Sequence, residues 1–406
     1  MTSVAVESGV IAAPFRPSGL SDIQQSALRK ASWRLVPLLT FAYLFSYLDR
    51  NAIGFAGLTM NKDLGLTNTQ FGAAAGWFFL SYTLCEVPSN MALYRFGARR
   101  WIARILISWG LVSAAMALVS GPASLYSMRF LLGVAEAGFF PGVTYYLATW
   151  FPREYRTRIL AWFLIAIPGS SLVGAPLCGL LLQLDGWLGL AGWKWMFIAV
   201  SLPPIVLGFV VLRVLSDRPE DTSWLSPEEA HAIHVMRAAE TQHRVRTSLW
   251  GALSDPRIMV LAAVQFGFTL GSYGIGIWLP LIIKDYHLSN LTIGFLAAVP
   301  YLFATAGMLI WAHHVDRSGH KVVNMALALA VASVALFAYM FSGSLFLSLT
   351  SLTLALIGVT AARGIFWAIP PRILSGAGVR EVSPSSIRSA TSPAMPRRNS
   401  SDWCTI

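Results

Sequence analysis

Apolar stretches of about twenty residues recur almost without interruption from Leu35 to Leu374, and a helix of that length crosses the hydrocarbon core of a bilayer. Each stretch is too long for a barrel strand, and backbone facing lipid has to satisfy its own hydrogen bonds, so the chain reads as helical. Composition agrees: 55% of the 406 residues are hydrophobic and 12% charged, with a mean hydropathy of +0.60. An ordinary soluble domain carries roughly a quarter charged residues. The expected fold class is an all-α integral membrane protein.

Spans are expected near 35–58, 72–94, 101–120, 124–149, 158–183, 194–215, 257–283, 291–314, 321–342 and 345–374. The chain then divides into a polar N-terminal tail (1–34), a six-helix bundle (35–215), a hydrophilic linker (216–256), a group of four helices (257–374) and a polar, basic tail (375–406). Within the linker, Ser226-Pro227-Glu228-Glu229 offers a capping serine, a proline at the first helical position and an acid at the third, so a short surface helix should start there. Basic residues concentrate in alternate connections: Arg95, Arg99, Arg100 and Arg104; Arg153, Arg156 and Arg158; Arg213 to Arg246; Arg317 and Lys321. Such loops favour the cytoplasmic side, which places the N-terminus in the cytoplasm of a multi-pass protein of the inner (plasma) membrane. The same loops account for the net charge of +11 without nucleic acid. The first residues lack a signal-peptide pattern, and Cys85, Cys178 and Cys404 form neither a CxxC pair nor a zinc set.

Two charged loop segments occupy equivalent places in the two halves. Asn90-Met-Ala-Leu-Tyr94-Arg95-Phe-Gly97-Ala-Arg99-Arg100 follows the second span, and Asp316-Arg317-Ser-Gly319-His-Lys321 follows the eighth. Both resemble the loop motif Gly-x-x-x-Asp-Arg-x-Gly-Arg/Lys-Arg of the major facilitator superfamily, with Asn90 and Tyr94 in place of the usual glycine and aspartate. The resemblance implies a two-bundle fold with twelve spans, of which about ten are present. Within that superfamily the block Tyr47-Leu48-Asp49-Arg50-Asn51-Ala-Ile-Gly54-Phe-Ala56 is similar to the anion:cation symporters, carriers of tartrate, phthalate, sugar acids and related carboxylates with protons or sodium. Glu86-Val-Pro88-Ser-Asn90, Arg129-Phe-Leu-Leu-Gly133-Val-Ala-Glu136-Ala-Gly138, Trp150-Phe151-Pro152, Trp278-Leu-Pro280 and Phe366-Trp367-Ala368-Ile-Pro370 fit it too. Several blocks in the right order are more specific than any one of them.

Ionisable residues inside spans are expensive and mark pathways for ions or substrates. Asp49 and Arg50 lie in the first span, and Arg129 and Glu136 lie two turns apart on one face of the fourth. They could be interhelical salt bridges and no more. A carrier of an anion with protons, however, needs a fixed cation and a carboxylate that changes charge. The resemblance implies proton coupling for Asp49 and Glu136, and substrate or gating roles for Arg50 and Arg129. It also implies substrate contacts at Tyr47 and Tyr82, with Tyr273 a further candidate. Arg95, Gly97, Arg99, Arg100, Asp316, Arg317 and Gly319 would form the conformational loop motif. Arg363 falls inside the tenth span and could clamp an anion, pair with an acid or be merely tolerated.

His313, His314 and His320 have no matching acid or cysteine cluster, so no metal is expected, and no cofactor. No phosphate-binding loop and no nucleophile–base pair stands out, which argues against an ATP-driven pump and against an enzyme. The expected partners are a small organic anion, protons (or sodium) and the lipid bilayer, with the chain acting as a monomer. The rival reading is a non-transporting sensor, or an inactive product, on a transporter scaffold. The tail motivates the second of these. A disordered tail is the simple reading. The other is a frameshift near Gly378, because suitable codons for Val379 through Met395, reread one nucleotide out of phase, spell AGGIAFINSIGNLSGY, which is similar to the family's eleventh span. With the last two spans absent, transport is expected to be impaired. Codons that cannot give that reading would refute the frameshift.

Overall fold

The computed structural model describes residues 20–238 and 256–366, without the side chains of residues 153, 154, 157, 257, 258 and 316. Residues 1–19, residues 239–255 of the linker, and residues 367–406, which hold the Trp367–Pro370 block and the polar tail, lie outside the described residues. All regular structure among the described residues is helical.

The first half comprises α1 (Asp22–Asp63), α2 (Asn68–Phe96), α3 (Ala98–Ala115), α4 (Pro122–Glu136), α5 (Phe139–Trp150), α6 (Arg153–Leu164), α7 (Ala166–Leu181) and α8 (Gly192–Val214). The linker helix α9 (Pro227–Ala238) follows. The second half contributes α10 (Pro256–Lys284), α11 (Asn290–Ser318), α12 (Lys321–Tyr339) and α13 (Leu345–Phe366). Eight segments are long and apolar enough to cross a membrane by length and composition, from Ala98–Leu118 to Leu345–Phe366. The first two long helices, α1 and α2, fall outside that criterion. Asp49 and Arg50 dilute the hydropathy of α1, and Gln70, Glu86 and Asn90 dilute that of α2, so the helices least like membrane spans carry the most polar chemistry.

The fifth span is divided at Ile165 into α6 and α7 with helical backbone throughout (φ −57°, ψ −24°), and two boundaries differ more deeply from the sequence reading. The fourth span is broken in two: Ala137 leaves the helix at φ −55°, ψ 136° and Gly138 turns left-handed at φ 83°. Only glycine takes that conformation cheaply, and a Cβ on Gly138 would stand 2.4 Å from Ser89 Oγ. The carbonyl freed at Ala137 accepts from Ser89 Oγ at 2.7 Å, and Trp101 Nε1 donates to the same Ser89 oxygen at 3.0 Å. The freed backbone group is thus satisfied inside the protein, as a low-dielectric setting requires.

The second difference lies at the start of α1, which begins well before the apolar run. Ser21 and Gln24 form a reciprocal capping box, and Ala27, Leu28 and Ala31 are buried. The cover comes from α9, which starts where the sequence placed it, with Ser226 capping Glu229 at 3.1 Å. Glu229 accepts from Ser26 Oγ at 2.7 Å and from Lys30 Nζ at 2.9 Å, while Arg34 sits over the ring of Trp224, which stacks on Trp150. Burial alone would raise the carboxyl of Glu229, but hydrogen bonds from Lys30, Ser26 and the Ser226 amide, with the Lys30 charge, outweigh it and hold the group at about 2. A group lowered on folding stabilises the folded contact above its unfolded value and loses that contribution as pH falls through the folded one. The contact between α1 and α9 should therefore be constant from pH 8 to pH 5 and loosen below about pH 4. Spin labels on the two helices would report this as distance broadening, and Glu229→Gln should broaden the distribution at neutral pH. An unchanged distribution in that variant would show that the carboxylate does not hold the clasp.

The halves meet through α1 and α7 on one side and α10 and α11 on the other. A Cβ at Gly54 would lie 2.5 Å from Ile277 O, and one at Gly294 would lie 2.7 Å from Ala175 O. Backbones this close need glycine, and lipid-embedded helices associate through such small-residue contacts. Asn51 Nδ2 donates to Ser171 Oγ at 3.1 Å beside this seam, and Lys284 Nζ donates to Leu58 O. The contacts described here between the halves run from the level of Arg50 to the mouth opposite the arginine-rich loops.

Candidate functional site

Consecutive residues on a helix point about 100° apart, so Asp49 and Arg50 face different neighbours. Asp49 turns to α3, where Trp109 Nε1 donates to Oδ2 at 3.0 Å and Ser113 Oγ donates to Oδ1 at 2.5 Å. Arg50 turns to α4 and α10. Its Nε and Nη2 reach the same Glu136 oxygen, Oε1, at 2.9 and 2.8 Å, and Nη1 donates to the Tyr273 hydroxyl at 2.7 Å. Ser46, one turn before Arg50, donates its hydroxyl to that Glu136 oxygen as well, at 2.5 Å. The other carboxylate oxygen, Oε2, is enclosed without a partner among the described residues.

Aromatic rings surround the guanidinium. Its carbon lies 4.8 Å from the centroid of Tyr82 and 5.3 Å from that of Tyr47, and Tyr47 stacks on Tyr273 with centroids 6.1 Å apart. Such faces stabilise a cation whose hydration has been stripped away. The three tyrosines singled out from sequence therefore converge on one arginine, and Tyr273 brings the second half to it. Arg50 is 8% exposed, whereas Arg129 is 1% exposed and lies over Phe78 at 4.6 Å. Arg129 Nε and Nη1 have no hydrogen-bond partner among the described residues, yet Asp49, Glu136 and Arg50 are all within electrostatic reach. All four charged residues thus share one layer, with Arg50 at its edge and Arg129 sealed behind it.

Sequence reasoning passed over Ser46, Trp109, Ser113 and Phe78. Trp109 and Ser113 stand four apart in an apolar helix, a spacing that puts both on one face and could have suggested a shared acceptor. Ser46 has the same relation to Arg50.

The two loop motifs do not act alike. Gly97 takes φ 85° between α2 and α3, and Asp217, just past α8, accepts from the Arg99 amide at 2.9 Å. Arg99 also donates through Nε to Leu212 O at 2.7 Å. Tyr94, where the family has an acid, packs on Tyr145 of α5. Arg95 lies over Phe96, while Arg100 is exposed. In the second half Gly319 is left-handed at φ 70° and closes α11, and Arg317 is exposed; the Asp316 side chain is outside the described set. Among the described residues no group of three His, Cys, Asp or Glu side chains could hold a metal ion.

Residues 39–382 match the sequence profile of the Major Facilitator Superfamily. The chain is 46% identical over 358 residues to an Agrobacterium vitis protein named "Putative tartrate transporter", covering 88% of this chain and 83% of that one. It is 39% identical over 360 residues to a quinolone resistance transporter of Acinetobacter baumannii, covering 88% and 83%. Its fold superposes on a bacterial homologue of the human lysosomal transporter Spinster with a TM-score of 0.66 at 18% identity, over 87% of this chain and 76% of that one. With a helical bundle in two halves, a charged layer in the first that touches the second where Arg50 meets Tyr273, and matches of this extent, the chain belongs to the major facilitator superfamily, whose members are transporters and not enzymes.

Proposed function

We propose that the chain carries a small organic anion across the inner membrane in symport with protons, with its N-terminus in the cytoplasm. One observation carries the reading: Arg50 is shared between a buried carboxylate of the first half, Glu136, and a hydroxyl of the second, Tyr273. With Glu136 ionised, the guanidinium is neutralised from behind. A proton on Glu136 removes that counter-charge and leaves Arg50 free to grip a carboxylate through parallel hydrogen bonds. Binding of anion and proton then favour one another, the reciprocity that symport needs. Tyr47, Tyr82 and Tyr273 supply hydroxyls and ring faces for the rest of the ligand. Arg129 is walled off from a ligand in this conformation and acts through its charge on Asp49 and Glu136. The junction of Gly97, Arg99 and Asp217 ties α2 and α3 to the end of α8, so that the helices of the first half move as one body.

Relatives bearing the tartrate name support the class of cargo. The test is uptake of labelled tartrate, galactonate, glucarate and phthalate into proteoliposomes under an inward proton gradient, with sodium present or absent. Uptake of at least one acid, abolished by a protonophore and indifferent to sodium, is expected. Binding without uptake would point to a sensor, and neither binding nor uptake would refute the anion reading.

A further inference from the structure

Three guanidinium groups reach the central layer but, among the described residues, only two carboxylates, Asp49 and Glu136, are buried there. Arg50 is paired with Glu136, and Arg129 is in reach of both acids. Arg363 is different: no described carboxylate lies within ion-pair distance of it. Half-buried Glu86, on α2, faces Arg50. Arg363 donates from Nη2 to Ser272 Oγ at 2.8 Å, its carbon lies 5.5 Å from the centroid of Phe268, and its Nε is enclosed without a partner. Ser272 immediately precedes Tyr273, the residue that takes the Nη1 hydrogen bond of Arg50. Two successive residues of α10 thus hold guanidinium groups from opposite halves, and the charge of Arg363 is felt at both Tyr47 and Tyr273.

A cation inside a membrane protein with neither counter-ion nor full hydrogen bonding is costly, and an arginine there offers a planar fork suited to a carboxylate. With one of the two buried acids protonated, the other and half-buried Glu86 still face Arg50 and Arg129, whereas Arg363 keeps no carboxylate within ion-pair distance, a deficit that the second carboxylate of a diacid fills and a monoacid leaves open. Building on the anion-symport reading above, we propose that Arg363 and Ser272 form a second anion subsite, which takes the far carboxylate of a dicarboxylate whose near carboxylate is held by Arg50. The pair makes this chain selective for diacids over monoacids. Because the two cations belong to different halves, only a ligand with an anionic group at each end draws both inward.

The test is equilibrium binding of tartrate, a diacid, and galactonate, a monoacid, to the purified full chain, with melting curves as a folding control. Wild type should prefer tartrate, and Arg363→Gln should weaken tartrate by about 30-fold while leaving galactonate within about 3-fold. Arg363→Lys, which keeps the charge and loses the fork, should fall between them. Where Arg363→Gln does not fold, Ser272→Ala serves in its place, with a tartrate loss of about 5-fold and galactonate unchanged. Equal losses for both acids, no loss for either, or a wild type that prefers galactonate would overturn the subsite while leaving anion transport standing. A wild type that binds none of tartrate, galactonate, glucarate and phthalate would overturn both.

Discussion

Arg50→Gln is expected to lower affinity for the organic anion by at least about 100-fold while the protein still inserts in the membrane. Charge-assisted hydrogen bonds contribute about 1.5–3 kcal/mol each, and two parallel ones to a carboxylate exceed the ~2.7 kcal/mol that a 100-fold change represents. Glutamine keeps the stem between the rings of Tyr47 and Tyr82 and removes the charged fork that reaches Tyr273, so the loss should fall mainly on charge. Truncating one member of a buried pair normally costs about 3–5 kcal/mol of stability, because the other charge is stranded. Here Glu136 keeps its hydrogen bond from Ser46, and adding Glu136→Gln to Arg50→Gln should restore folded yield without restoring binding. Ligand binding measured beside membrane abundance in the single and double variants separates the two effects. Unchanged affinity in Arg50→Gln would remove this residue from the site.

Glu136→Gln should separate transport from its driving force. The carboxamide can still meet Arg50 through its oxygen, but it cannot gain or lose a proton. Exchange of internal for external anion should persist, whereas accumulation under a proton gradient should fall by more than about tenfold and lose its dependence on external pH. Asp49→Asn is the instructive control. Asp49 accepts from Trp109, which can only donate, and from Ser113, whose hydroxyl can turn to accept, so asparagine keeps both contacts with its oxygen toward Trp109 and its N–H toward Ser113 and removes only the exchangeable charge. A folded Glu136→Gln variant that still concentrates anion against its gradient would move the coupling role elsewhere, with Asp49 the next carboxylate to examine.

Much of this site was legible before the fold, for a physical reason: a charged residue in an apolar run has no cheap place to go. Asp49, Arg50, Arg129 and Glu136 announced themselves by that cost, and the two-turn spacing of the last pair put them on one helix face, both buried as expected. The partners of these charges were not legible. Ser46, Trp109 and Ser113 are ordinary membrane-helix residues until three helices converge on the same two acids. The break after Glu136 was hidden as well, because Gly138 in an apolar run reads as a packing glycine, and Gly133 three positions after Phe130 is one. What distinguishes Gly138 is a left-handed backbone paired with a serine on another helix. The early start of α1 was missed because hydropathy marks where lipid begins, whereas the helix continues wherever another surface, here α9, covers its apolar side.

The length of α1 has a mechanical consequence. From Leu38 to Asp63 no proline interrupts it, and that stretch carries Tyr47, Asp49, Arg50 and Asn51, then Gly54 against Ile277, then Leu58 against Lys284. Arg50 and Gly54 stand one turn apart on the same face, ~6 Å along the axis. A helix is stiff over that distance, so it works as a lever with Arg50 and the seam between the halves on one arm. Torque applied at Arg50 cannot be absorbed before it reaches Gly54, where backbones in van der Waals contact leave no slack. Under the symport proposal, gripping an anion at Arg50 and moving the seam at Gly54 become a single stroke, timed by one rod instead of by a relay of parts.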